Sequence, residues 1–390
     1  MNKNCLYYLW LGKLRTDMKM RWHIGLMTGT VLDGNIDVAF LRTNGKLIEE
    51  FGYHNLMPYD EEVKDLLIKA INEAQIWNFN GPEPEIFSKT EAALTNSQTV
   101  AVQKCIKLSG IDKNEIEAVG FHGQTVLHKA PNKLSKGKTR QLGDGQRMAN
   151  ELGIPVVYDF RTNDMREGGQ GAPLCPIYHA ALLKKIAATS TTAILNLGGL
   201  GNLSCYSDKY GLMAFDTGPA NAPLNDWIKS FNIGQMDIDG EIAARGKTDE
   251  SRLAEILKDP YFEVSFPKSL DRFDFSFKIV EGMSLEDGAA TLTALVGASV
   301  GKGLDLLPIR PTQLIVSGGG RKNPTMIKEI SSRANINVKT SDKYNWRGDA
   351  IEAECFAFLA ARTLANLPIS YPKTTGVLKP MKGGIIAYPS

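Results

Sequence analysis

Three glycine-rich turns, each directly behind an apolar run, constrain this chain more than any other feature. They are Gly25-Leu26-Met27-Thr28-Gly29-Thr30-Val31-Leu32-Asp33-Gly34, Asn196-Leu197-Gly198-Gly199-Leu200-Gly201-Asn202 and Ser317-Gly318-Gly319-Gly320-Arg321-Lys322-Asn323. The first two lead into another strand-like run and read as hairpins; the third leads into a helical pattern. Glycine lets backbone approach a ligand closely and lets successive N–H groups point one way, as a polyphosphate requires. Two such hairpins, one in each half of the sequence, point to a nucleotide held between two halves.

The 390 residues exceed what one hydrophobic core usually supports, so two domains are expected. The strongest boundary signal is Ala187 to Thr192, which gives an extension over 1–20 outside the fold proper, a first domain over 21–188 and a second over 189–390, whose C-terminal segment is expected to pack back toward the first. A net charge of +2 with scattered basic residues gives no electrostatic reason to expect nucleic acid or an anionic membrane. Partners are therefore expected to be small molecules. Cys5, Cys105, Cys175, Cys205 and Cys355 form no CxxC pair, and the five histidines include no HExxH, which argues against a structural metal. Cys5 to Leu11 is apolar but too short to span a bilayer, and no longer apolar run follows. The expected location is the cytoplasm.

Strands are read at His23–Met27, Ile36–Arg42, Ile116–Phe121, Ile154–Tyr158, Thr192–Tyr206 (as a hairpin), Leu212–Phe215 and Leu314–Val316. Helical periodicity covers Glu61–Glu73, Pro84–Leu108, Gln146–Leu152, a helix from Pro176, Asn225–Phe231, a long helix ending at Leu307, Thr325–Arg333 and Asp349–Leu364. Ser284-x-x-Asp287 resembles a capping box ahead of the long helix. Strands running into glycine turns in both halves indicate an α/β protein built of two similar domains.

No GxxxxGK[ST] occurs, so the phosphate clamp is not a P-loop. The first turn instead places Asp33 and Asp37 near the expected phosphates. Carboxylate beside phosphate repels unless Mg²⁺ lies between them, so the turn reads as a Mg–nucleotide loop. The plainer reading is a hairpin whose Asp-Gly satisfies turn chemistry. Asp159 and Asp216 each end an apolar strand, where ligands gather in open α/β sheets. Each is a candidate base or metal contact, and each could equally cap a helix, Asp216 more readily than Asp159. Gln124, Thr125 and Arg161 offer donors suited to a sugar-like ligand. His122 and His179 read as structural. Gly168 to Pro173 reads as a flap or a tight connector. Glu352, at the start of a helix, is accounted for by the helix dipole.

These residues resemble the anhydro-N-acetylmuramic acid kinase family, sugar kinases of the actin/hexokinase-like superfamily. The likeness runs over nearly all of 23–390: Gly25 to Asp37, His122 to Thr125, Asp159-Phe160-Arg161 with Asp164, Gly168 to Leu174, Asn196 to Asn202, Phe215 to Asn221, Pro267-Lys268-Ser269, Gly318 to Asn323 and Glu352-Ala353. The resemblance implies two actin-like (ribonuclease H-like) domains with ATP and Mg²⁺ in the cleft. It makes Gly29, Thr30, Val31, Leu32, Asp33, Gly34, Asn35 and Ile36 the first phosphate loop, with Asp33 toward the metal. Gly198, Gly199, Gly201 and Asn202 become the second loop; Gly318, Gly319, Gly320 and Asn323 become the adenosine-side turn. Gln124, Thr125, Arg161, Asp164 and Glu352 are implied on the sugar side, which replaces the capping reading of Glu352.

The family's reaction opens the 1,6-anhydro bridge of the muramic sugar with water while O6 takes the γ-phosphate, giving N-acetylmuramic acid 6-phosphate in peptidoglycan recycling. O6 is an ether oxygen with no proton to lose, so the group needing a base is water at C1. By resemblance that base is Asp216. A homodimer is also implied by the family. Two departures stand out. Val31 replaces a serine of the usual first loop and Asn35 is inserted after Gly34; Thr162-Asn163 stand where an arginine usually follows Asp-Phe-Arg. They keep open a divergent kinase or a sensor for another anhydro or amino sugar. An actin- or Hsp70-like ATPase switch is the other alternative, although it has no need for the sugar-side set. A dinucleotide dehydrogenase fits poorly, because Gly199-Leu200-Gly201 leads into a strand.

Overall fold

The computed structural model describes residues 19–28, 34–131, 135–188, 190–271 and 274–390. Most of the expected extension, and Gly29, Thr30, Val31, Leu32 and Asp33 of the expected first phosphate loop, lie outside the described residues.

The first half runs β1 (Arg21–Met27), β2 (Asn35–Thr43), β3 (Ile48–Pro58), α1 (Glu61–Trp77), α2 (Ile86–Ser109), β4 (Ile116–Phe121), β5 (Gln124–Lys129), β6 (Lys138–Leu142), α3 (Gly145–Leu152), β7 (Val156–Tyr158), α4 (Thr162–Arg166) and α5 (Pro176–Lys185). The second runs β8 (Thr192–Leu197), β9 (Leu200–Ser207), β10 (Gly211–Pro219), α6 (Asn221–Ser230), α7 (Glu241–Arg245), α8 (Glu250–Ile256), α9 (Leu285–Asp305), β11 (Gln313–Ser317), α10 (Pro324–Arg333), β12 (Asn337–Thr340), α11 (Ile351–Leu364) and β13 (Ile385–Ala387).

The strands form two large sheets of one design. One is ordered β13-β7-β4-β1-β2-β3 and the other β10-β9-β8-β11-β12. In each, three sequential strands are antiparallel: β1-β2-β3 in the first and β8-β9-β10 in the second. In each, two further strands then add in parallel on the other side of the leading strand, β4 and β7 in one and β11 and β12 in the other. This is the ribonuclease H-like order of an actin-like domain, built twice. The hairpins expected at the first two glycine turns are present, with Met27 opposite Asp37 and Asn196 opposite Asn202.

Capping residues start the helices where the backbone needs them. Ser284 accepts from the Asp287 amide at 3.1 Å, as the capping-box pattern requires, and the 21-residue α9 that follows is buried over most of its circumference. Helix α6 begins at Asn221, ahead of the expected Asn225, because Pro223 falls in the first turn, where no N–H is demanded of it. Strand β10 continues past Phe215 to Pro219, so Asp216 lies within it.

The first sheet buries one face under α1 and α2, with Leu67, Phe87, Leu94 and Val102 against Ile24, Phe40 and Phe121. Its other face meets α5 and α11 through Tyr178, Leu182, Phe356 and Leu359, in a cluster that also takes in Ile194 and Ile315 of the second sheet. Although α11 comes late in the chain, it lies on β1. A Cβ at Gly25 would stand 1.8 Å from the Ala353 carbonyl oxygen, and one at Gly120 would stand 2.1 Å from that of Phe356. Gly25 is therefore a strand residue required for helix packing, whereas its sequence position had made it part of the turn. Strand β13 completes the same sheet by pairing with β7. Among the described residues no helix is long and apolar enough to cross a membrane.

Candidate active site

The parallel arrangement of β8 and β11 brings the second and third glycine turns side by side. Ser317 registers with Asn196, and a Cβ on Gly318 would stand 2.4 Å from Asn196 Oδ1. Gly318 also has φ +75°, a conformation that demands glycine. A Cβ on Gly320 would meet Leu197 Cβ at 2.6 Å, and one on Gly201 would meet Thr217 Oγ1 at 2.7 Å, so packing accounts for both. Gly198, Gly199 and Gly319 differ. None has positive φ, and an added Cβ would find only Leu200 O at 3.8 Å, Ala222 Cβ at 3.4 Å and nothing within 4 Å, respectively. Neither backbone nor packing requires glycine there, which leaves room for an external group to approach the main chain.

Register carries a polar row away from these turns. Ser317 pairs with Asn196, Asn196 with Asn202 and Asn202 with Asp216, across β11, β8, β9 and β10. Residues directly opposite one another share a sheet face. Asn202 Nδ2 donates to Asp216 Oδ1 at 2.8 Å, and the Leu270 amide donates to Oδ2 at 2.9 Å. The Asn202 side chain thus serves Asp216, a correction to its place in the phosphate loop. Asn196 Nδ2 lies 3.5 Å from Glu352 Oε1, so adjacent asparagines hold the two carboxylates.

Burial pushes Asp216 above the ordinary aspartate range, against the pull of Asn202, the Leu270 amide and the Lys268 ammonium. Lys268 is 6% exposed, donates to Tyr261 O at 2.7 Å and sits 4.3 Å from the Tyr261 ring centroid. Desolvation lowers it to about 8 despite the neighbouring Asp216. Tyr261 in turn donates its hydroxyl to Asp216 O at 2.6 Å.

On the first half, His122 and Arg161 form a second polar group. His122 Nδ1 lies 2.8 Å from the Gly123 carbonyl, which can only accept, so Nδ1 carries the proton and Nε2 receives Arg161 at 3.0 Å. Burial, helped by the Arg161 charge, brings His122 down to about 3 and keeps it neutral. Arg161 Nη1 donates to Gly171 O at 2.7 Å, and the guanidinium also acts on Glu352. Burial raises Glu352 above its usual range and Arg161 offsets part of that rise.

The other sugar-side expectations divide. Gln124 is 1% exposed, and its buried Oε1 has no hydrogen-bond partner among the described residues. Thr125 follows it on β5 and so faces the other way by strand alternation, its Oγ1 accepting from Gln141 at 3.2 Å. Asp164 accepts one hydrogen bond on each oxygen, Oδ2 from the Gly171 amide and Oδ1 from Thr375 Oγ1, each at 2.7 Å, and so ties the 168–173 connector to the loop near Thr375.

Asn323 caps α10 by accepting from Met326 N at 2.9 Å. Ile36 is 1% exposed in the core, so its side chain leaves the ligand set. Asn35 is the first residue of β2, opposite Pro58, and Gly34 has the φ of +85° that its turn needs. Neither aspartate is the N-cap of the helix that follows it: Arg161 precedes α4 and Ala220 precedes α6, both without a side-chain cap, although Asp159 does accept from Thr162 N at 3.3 Å. Asn163 donates to Lys382 O at 2.7 Å, so this departure braces the C-terminal segment.

Sequence reading passed over Arg321, Asp349 and Lys268 as individuals. Arg321 and Lys322, with Asp239, Pro324, Lys328 and Thr340, line a cavity of about 740 Å³ beside the third glycine turn.

The family model described as anhydro-N-acetylmuramic acid kinase matches residues 21–389. Three curated relatives carry that same description. The one from Brucella anthropi is 56% identical over 367 residues, 94% of this chain and 99% of its own length. Those from Rhizobium rhizogenes and Mesorhizobium japonicum are 54% and 53% identical, each over 95% of this chain and 100% of their own.

Proposed function

The chain belongs to the anhydro-N-acetylmuramic acid kinase family, and from that premise we propose how its residues carry out the family's reaction. It is a phosphotransferase that uses ATP to convert 1,6-anhydro-N-acetylmuramic acid into N-acetylmuramic acid 6-phosphate and ADP. The observation that supports the residue assignment best is the row Ser317–Asn196–Asn202–Asp216, which starts beside two glycine turns and ends on a carboxylate.

In this reading Gly198, Gly199 and Gly319 take the phosphates, because their open Cβ positions leave backbone accessible. The cavity at Arg321 and Lys322 takes the adenosine side. Asp216 accepts a proton from water as that water attacks C1. The C1–O6 bond breaks with its electron pair going to O6, O6 bonds to the γ-phosphorus, and the bond from that phosphorus to the β–γ bridging oxygen of ATP breaks, its electron pair leaving on ADP. Asn202 and the Leu270 amide fix the carboxylate, and its raised pKa brings its basicity closer to neutral conditions. Arg161 and Glu352 face the sugar's carboxylate and hydroxyl groups, and Gln124 Oε1 awaits a donor; an unsatisfied buried acceptor costs about 1–3 kcal/mol.

Asp33 stands outside the described residues; among the described residues no group of three or more His, Cys, Asp or Glu side chains is placed to hold a metal ion. Mg²⁺ carried on the ATP phosphates near Asp33 would neutralise charge developing on them. The first domain ends near residue 188 and the second takes the rest, with α11 and β13 returning to the first.

The test is turnover of the anhydrosugar with Mg-ATP in ¹⁸O-water. The expected product is a 6-phosphate labelled at C1. Unlabelled product would remove the water attack, and no product would return the chain to a sensor or to another sugar.

A further inference from the structure

Arg321 has an inward task that the proposed chemistry leaves unused. Its side chain is 6% exposed. Nη1 and Nη2 grip the two oxygens of Asp349 at 2.8 and 3.0 Å, Nε meets Asp342 at 3.2 Å, and Nη1 also reaches Gly318 O at 3.1 Å. Gly348 makes room for the guanidinium, since a Cβ there would stand 2.3 Å from Nε. Two parallel bonds between planar groups fix orientation as well as distance.

Asp349 immediately precedes Ala350, the N-cap of α11, and Glu352 lies in the first turn of that helix. The contacts then close into a ring. From Gly318 they pass through Arg321 and Asp349 to the start of α11 and Glu352. They return through Asn196, 3.5 Å from Glu352, and Ser317, whose Oγ lies 3.4 Å from Asn196 Oδ1. Next to Glu352, α11 is held against β1, where Gly25 meets the backbone of Ala353 and Ala357.

We propose that Arg321 and Asp349 form a positioning pair that couples nucleotide occupancy at the third glycine turn to the placement of Glu352 at the sugar. This rests on the reading above, in which Gly319 of the third turn takes a phosphate and Glu352 faces the sugar. A nucleotide that draws the turn toward its phosphates loads Arg321, and the bidentate bond passes that load to the helix start. Such coupling is reciprocal, so the sugar must tighten nucleotide binding by the same factor.

The test uses the full chain and AMPPNP with Mg²⁺, which fills the nucleotide site without turnover. Calorimetric titration with the anhydrosugar is expected to show a Kd at least about fivefold lower when AMPPNP is present. In Arg321→Lys and in the near-isosteric Asp349→Asn that ratio should fall below about twofold, and in Asp349→Asn, which lies outside the proposed adenosine cavity, each ligand alone should bind within about threefold of wild type. In turnover, the KM for sugar should rise more than kcat falls. Variants that keep the wild-type ratio, or a wild type without one, overturn the proposal. Hydrogen exchange in the wild type reads the same link without any substitution: AMPPNP should slow exchange across 347–356, and unchanged exchange there also overturns it. A wild type that turns over the sugar but shows no coupling removes only this inference. A wild type that does not turn over the sugar removes the reading beneath it.

Discussion

Asp216 suits the part of base because its environment pulls in two directions. Burial raises it, and Asn202, the Leu270 amide and Lys268 restrain the rise. Asp216→Asn is expected to lower kcat by at least about 10²-fold, within the range for a lost general base, while ATP binding stays near wild type by titration. Full activity in that variant would move the base elsewhere. Since the base must be ionised, activity is lost as pH falls through its raised pKa, and the acid limb of kcat/KM should lie above 3.8, the ordinary aspartate value. The Lys268 charge favours the Asp216 carboxylate, so Lys268→Met is expected to move the acid limb upward. A profile identical to wild type would show that Lys268 does not act on the base. At this scale the sequence marks Asp159 and Asp216 alike. What separates them is partners: Asp159 accepts from the Thr162 amide, whereas Asp216 sits at the end of a cross-strand row.

At the scale of elements, glycines that look alike in sequence serve opposite ends. Gly25→Ala forces a Cβ to 1.8 Å from the Ala353 carbonyl, where backbone must move. A loss of at least about 1–3 kcal/mol is expected in urea unfolding, typical of overpacking. Gly198→Ala meets nothing closer than 3.8 Å. Its stability is expected to stay within about 0.5 kcal/mol of wild type, while the KM for ATP rises about tenfold or more, a change of about 1.4 kcal/mol. If Gly198→Ala destabilised the chain and left the KM unchanged, the cradle assignment would be wrong. The strands, the hairpins and the α9 cap are legible in sequence because they follow from local periodicity and turn chemistry. The placement of α11 on β1 is not, because it depends on two backbones meeting across most of the chain length.

The whole molecule should be acid-labile because of three buried or half-buried histidines in its first half. His122 is held at about 3, and His128 and His179 at about 4, each chiefly by burial. Their folded values lie below the ordinary 6.5, so the unfolded chain binds protons that the native chain refuses. Stability is therefore complete above about 6.5 and declines as pH falls toward 3–4, by about 1.4 kcal/mol per pH unit for each histidine. Urea midpoints at pH 7.5 and 5.0 test this; equal midpoints would show that these rings are not buried neutral.

The sequence by itself determined an α/β chain of two like domains, with glycine turns in both halves and the residue types of a sugar kinase, since turn chemistry, periodicity and motif spacing are local properties. Only the tertiary structure decided which glycines face open space, that Asn202 serves Asp216, that Asp164 ties two loops and Asn323 caps α10, and that Arg321 holds the residue before α11. Those are properties of register and packing, and they exist only once strands far apart in the chain stand side by side.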